Sequence, residues 1–356
     1  MADKSSRSLI IYGDGCVKHI SSSHVHLHHL VSRGCSGFLS LAQSPNAELV
    51  DKVRGDPMYL FDDESWASLF LHQVQEDCGK KIAYVSVPCE DERVVRELAQ
   101  LLDAFDAYQM KKGGSFVTSE CSKESSVSTM SDRFMGLKAA IVSTNSNVKS
   151  FGRYLGFTVL EFDNLTKDKP SFDEPLACEL LKLLGFHGGE TLETSEFDLV
   201  FVHLGCSEKV NVVKEEGVGN EVEYINSLVG GILQIAQPGS EIASRLHLSV
   251  VMSYGASVDD EDSSLLQLNS LKENSNLSLL FPRQSYTMKG ANLLNNIRHH
   301  SPMLITQWQE AVTRKDMAEK FSFQDIKEKG GNLAIPADRF LQEIAFKLWK
   351  APKYGA

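Results

Sequence analysis

Apolar residues in this chain fall into short, nearly uninterrupted runs, and most runs are followed by a stretch with helical spacing. The runs are 8–13, 81–87, 137–143, 158–162, 198–204, 247–253 and 303–307. Several are continuous rather than alternating, as in strands buried on both faces. Residues 24–33, 64–77, 91–108, 147–155, 174–184, 221–236 and 337–349 read as amphipathic helices. Strand and helix taking turns predicts an α/β protein with a mostly parallel sheet flanked by helices on both sides. Two segments break the rhythm. Residues 111–131 are rich in Ser, Gly and charge and read as a flexible linker, and the acidic stretch 259–276 reads as a surface loop with a short helix. No internal repeat is visible.

Charge narrows the function classes. With 47 acidic against 36 basic residues the net charge is −11, which argues against a phosphate-neutralising nucleic-acid surface and against docking on an anionic membrane. An anionic ligand would need a local basic pocket. The seven cysteines, Cys16, Cys35, Cys78, Cys89, Cys121, Cys178 and Cys206, are odd in number and never spaced as CxxC. That predicts reduced thiols rather than a disulfide framework or a zinc ribbon. The short polar start and the lack of a long apolar stretch predict a cytoplasmic protein, with the nucleus as the other compartment.

Three local groupings carry candidate chemistry. His19, His24, His26, His28 and His29 are dense enough for a transition-metal site, since His24 and His28 are four apart; the competing reading is a polar helix face. Cys16 would be a nucleophile if a helix N-terminus lowered its pKa, against the commoner role of a buried small residue. Arg283 and Lys289 lie in a hydroxyl-rich stretch near the expected carboxyl edge of the sheet, where open α/β folds bind ligands. A phosphate or acidic peptide would suit them, with Arg283 as bidentate donor, and a solvated loop is the alternative. Gly13-Asp14-Gly15 lacks the third glycine of a dinucleotide fingerprint.

The order of several motifs resembles the archaeal-type cofactor-independent phosphoglycerate mutases of the alkaline phosphatase superfamily. The stretches are Tyr12-Gly13-Asp14-Gly15, residues 30–37, 136–143, 151–157 and 197–203, then Lys329-Gly330-Gly331 and the terminal Lys353-Tyr354-Gly355-Ala356. The resemblance implies an alkaline-phosphatase-like core from 1–42 and 134–356, with 43–133 as a reduced inserted region that includes the linker. It also implies two divalent ions (Mn, Zn or Mg) about 3.5–4 Å apart and a Ser or Thr nucleophile. Asp14 matches the first carboxylate ligand, His300 the last histidine, and Glu208 falls near a third ligand. The nucleophile's glycine-rich turn has no counterpart, Val212 stands where a histidine is expected, and Ser253-Tyr254 replaces an adjacent Asp-His pair. These departures predict a degenerate metal site and a pseudoenzyme without cofactor, which binds a protein partner or a small phosphorylated ligand. A metal-dependent phosphate-ester hydrolase or mutase with a rebuilt site is the alternative.

Overall fold

The computed structural model describes residues 6–41, 90–113, 127–166, 173–205, 220–255, 288–289, 292–293, 300–332 and 334–352. Eight strands form the central sheet: β1 (Arg7–Asp14), β2 (Cys35–Leu41), β3 (Ala139–Ser143), β4 (Thr158–Leu160), β5 (Leu199–Gly205), β6 (Leu246–Met252), β7 (His300–Trp308) and β8 (Ala334–Pro336). Their order is β8-β2-β7-β6-β1-β5-β3-β4. All neighbouring pairs are parallel except those made by β7, which runs against both β2 and β6. The helices used below are α1 (Val25–Arg33), α2 (Glu90–Leu101), α3 (Phe105–Gly113), α4 (Ser146–Tyr154), α5 (Asp173–Leu183), α6 (Asn220–Ile235), α7 (Phe323–Lys329) and α8 (Ala337–Lys347). No helix among the described residues is long and apolar enough to cross a membrane.

The two-residue period of β1 divides the core into two layers. Leu9 and Ile11 join the cluster built with α1, α5 and α6, which includes Leu27, Leu180 and Ile225. Ile10 and Tyr12 join the cluster built with α2, α4 and α8, which includes Leu98, Phe151 and Ile344. Both faces of the sheet are therefore covered, as continuous apolar runs require. Val94, Leu98 and Tyr108 belong to the second cluster, so α2 and α3 contribute to the core layer on that face of the sheet.

The predicted elements and the observed ones differ in instructive places. The single helix expected at 91–108 is two, α2 and α3, parted where Asp103 takes a left-handed φ of 50°. Strand β2 was not predicted, because Ser36, Gly37 and Ser40 dilute its apolar character. It forms because its polar atoms have partners: Ser36 Oγ lies 2.9 Å from Thr306 Oγ1. Gly37 is needed there, since a Cβ would sit 2.4 Å from the Asn332 carbonyl oxygen. The runs expected at 64–77, 81–87 and 259–276 lie outside the described residues, as does most of the 111–131 linker.

Candidate functional site

In open parallel sheets, chemistry gathers at the carboxyl ends of the strands. Strand parity then decides which side chains meet there. Tyr12 and Asp14 share the α2 face of β1; across the sheet Tyr12 is in register with His203 of β5, and His203 with Ser143 of β3. Ser253 follows β6, and its amide donates to the Gly13 carbonyl at 3.0 Å. Four adjacent strands thus bring Ser143, His203, Tyr12, Asp14 and Ser253 together under α2.

Helix α2 completes the cluster with Arg93 and Glu97, an i,i+4 pair on its inner face. Arg93 donates from one guanidinium nitrogen to Asp14 Oδ2 at 2.8 Å and from the other to Glu97 Oε1 at 2.8 Å. The Tyr12 hydroxyl donates to the second oxygen of Glu97 at 2.9 Å, and the Ser253 hydroxyl donates to Oδ1 of Asp14 at 2.8 Å. Ser253 Oγ is itself held by the Gly15 amide at 3.0 Å. That contact brings two backbones close together. Gly15 and Gly255 both have positive φ, and a Cβ on Gly255 would lie 3.0 Å from the Gly15 Cα.

Burial makes this network electrostatically strong. Asp14 is 6% exposed, Arg93 4% and Glu97 2%. Burial pushes the Glu97 carboxyl up to about 7; Arg93 pulls it back down, and the neighbouring Asp14 adds to the rise. Burial opposes the charge on Arg93, but Glu97 and Asp14 outweigh it and raise its pKa. His203 is held neutral by burial, its pKa lowered to about 4. Its Nδ1 lies 2.9 Å from Ser143 Oγ, which accepts from the Asn145 amide at 3.0 Å. Its Nε2 is buried without a hydrogen-bond partner among the described residues.

The candidates named from sequence fall out as follows. Asp14 sits at the centre of the network. Cys16 is fully buried and disulfide-bonded, so it offers no thiolate, and this corrects the expectation that all seven cysteines are reduced. His300 opens β7, whose start lies at the same end of the sheet as the close of β6. Glu208 and Arg283 lie outside the described residues; Lys289 is in a two-residue strand, Met288–Lys289, paired with Asn292–Leu293.

The histidine cluster does not converge. His24 Nδ1 accepts from the Ser21 amide at 2.8 Å, and His28 Nδ1 from the Phe321 amide at 3.0 Å. His26 packs its ring where Gly230 leaves room. No three His, Cys, Asp or Glu side chains among the described residues form a group able to hold a metal. No motif in the sequence marks Arg93, Glu97, Tyr12, Ser143 or His203 as a site residue. Parity along the strands could have found the last three; nothing local could have found the first two.

Among the described residues, the carboxylate that matches the two-metal cluster implied by the resemblance is not open to a metal. The Asp14 carboxylate has one oxygen on a guanidinium and the other on a hydroxyl. A divalent ion about 4 Å from that guanidinium would meet roughly 8 kcal/mol of repulsion, twice the unit-charge value at an effective dielectric of 20.

No family model matches this chain, and no curated protein matches it. Among solved structures it is similar to the PH0037 protein from Pyrococcus horikoshii, with 12% identity, 99% of each chain covered and a TM-score of 0.46. It is also similar to the cofactor-independent phosphoglycerate mutase from Thermoplasma acidophilum, at 11% identity, covering 96% of this chain and 99% of that one with a TM-score of 0.43. A protein in the alkaline phosphatase superfamily from Vibrio parahaemolyticus matches 88% of this chain and 62% of its own, at 14% identity and a TM-score of 0.36. None of these values assigns a role to a residue of this chain.

Proposed function

We propose that this chain is a phosphoglycerate-mutase-like protein that works by binding rather than by catalysis, as a partner-binding or regulatory protein. The observation that carries the reading is the buried ion pair between Arg93 and Asp14. A catalytic metal site needs carboxylates with oxygens turned to the metal, and the matching carboxylate among the described residues, Asp14, is committed to a fixed organic cation. Ser143 and Ser253 do not rescue an enzyme reading. Both are buried, and both hydroxyls are engaged in fixed hydrogen bonds. A nucleophile must reach substrate.

The test is direct. Purified protein should carry no stoichiometric divalent metal, and should turn over neither 3-phosphoglycerate nor a generic aryl phosphate in the presence of Mn²⁺, Zn²⁺ or Mg²⁺. Metal-dependent turnover that disappears in Asp14→Ala would overturn the reading in favour of a phosphate-ester hydrolase or mutase. The ligand side rests on Arg283 and Lys289: charge reversal at either should weaken recovery of a protein partner or binding of a small phosphorylated ligand, while Asp14→Asn leaves it intact.

A further inference from the structure

We propose that Arg93 is the built-in cation of this site, a guanidinium doing for Asp14 and Glu97 what a bound ion would otherwise do, and that the pocket around it selects a planar organic cation over a metal. The proposal rests on the non-catalytic reading above and deepens it.

The geometry is that of a cation bridging two carboxylates. One nitrogen of Arg93 meets Asp14 and the other meets Glu97, each at 2.8 Å. Each carboxylate then turns its second oxygen to a hydroxyl, Ser253 for Asp14 and Tyr12 for Glu97. The hydroxyl on the Asp14 side is pinned in turn by the Gly15 amide. The two carboxylate oxygens that accept from Arg93 therefore match a flat, forked ion with hydrogen-bonding edges. A metal ion asks for something different: ligand atoms converging on one point at about 2.0–2.6 Å. No such group of three occurs among the described residues.

The bridging position also explains why the cation is covalently attached. Asp14 comes from β1 and Glu97 from α2, so the ion joins sheet to helix across the second core layer. A diffusible cation would have to enter a place where all three side chains are under a tenth exposed. Carrying it on α2 removes the entry step and the entropy of capture.

Arg93→Ala removes the cation and leaves the space. Its thermal midpoint should fall by roughly 5–10 °C. About 10 mM methylguanidinium should recover a large part of that fall, by binding the folded state alone. Tetramethylammonium at equal ionic strength should recover none, and the wild-type midpoint should move with neither. Stronger recovery by Mn²⁺ or Zn²⁺ than by methylguanidinium overturns the proposal, as does a variant midpoint equal to wild type or a fall that neither ion repairs. Should Arg93→Ala yield no folded protein, Arg93→Lys carries the test. A point charge replaces the fork but still fills the site, so the midpoint should fall and methylguanidinium should not restore it; a wild-type midpoint there overturns the proposal. Turnover by the wild-type protein would defeat the non-catalytic reading and leave these midpoints unaffected, so the two failures are distinguishable.

Discussion

At the scale of single residues, the buried network makes unequal demands on its members. Arg93 is the costliest to lose, because its removal strands two carboxylates away from water. Breaking a buried pair this way typically costs about 3–5 kcal/mol, far more than the pair contributes net of desolvation. Ser253 is a smaller case with a cleaner reading. Ser253→Ala leaves the Gly15 amide without its acceptor and Asp14 without one donor, at about 1–3 kcal/mol. Urea denaturation at pH 7 should therefore rank Arg93→Ala well below Ser253→Ala, and both below wild type. Equal midpoints for the two variants would mean that the guanidinium matters no more than a hydroxyl. Gly255→Ala belongs with them for a different reason. Its φ of 73° and the 3.0 Å approach to Gly15 both resist a side chain, so a loss of about 1–3 kcal/mol is expected in the same measurement.

Among elements, close docking decides what the sequence could and could not disclose. Helix α4 lies so near β3 that a Cβ on Gly152 would sit 2.8 Å from Ile141 Cγ2. Alanine would ordinarily favour the helix by about 1 kcal/mol. Here overpacking of about 1–3 kcal/mol should outweigh that gain, so Gly152→Ala should lower the thermal midpoint. A raised midpoint would mean that α4 docks more loosely than described. The strands β1, β5 and β6 were legible because burial on both faces leaves long apolar runs, and α4, α5, α6 and α8 because their apolar stripes face one layer. Strand β2 was not, since its stability comes from partners such as Thr306 that are remote in sequence. The site was legible only in part. Asp14 stood out through the resemblance, whereas Arg93 sits in a run of charged residues, Glu90 to Arg93, that reads locally as a solvated helix start. Only the docking of α2 onto β1 turns that residue inward, and docking is a property of the whole core rather than of a short window.

For the whole molecule, two buried groups should shape stability against pH, and they pull in opposite directions. Glu97 has its folded pKa raised to about 7 from an ordinary 4.5. Its contribution is fully present below 4.5 and is lost as pH rises toward 7, because the unfolded chain ionises freely and the folded one resists. His203 has its folded pKa lowered to about 4 from 6.5. Its contribution is fully present above 6.5 and is lost as pH falls toward 4, because the unfolded chain takes up a proton that the folded one refuses. Between 4.5 and 6.5 the two slopes oppose each other, and Asp103, raised to about 6 by burial, adds to the Glu97 side. The wild-type curve alone therefore cannot separate them, but difference curves can. Relative to wild type, Glu97→Gln should be more stable at pH 8 than at pH 5, and His203→Gln the reverse. Each difference should be on the order of 2–3 kcal/mol, the size of a shift of this kind at 1.36 kcal/mol per unit. Chemical denaturation of the three proteins at both pH values measures it. Parallel curves for wild type and Glu97→Gln would place the near-neutral titration elsewhere in the fold, and would leave the guanidinium bridge as a pair of permanently charged contacts without a proton to share.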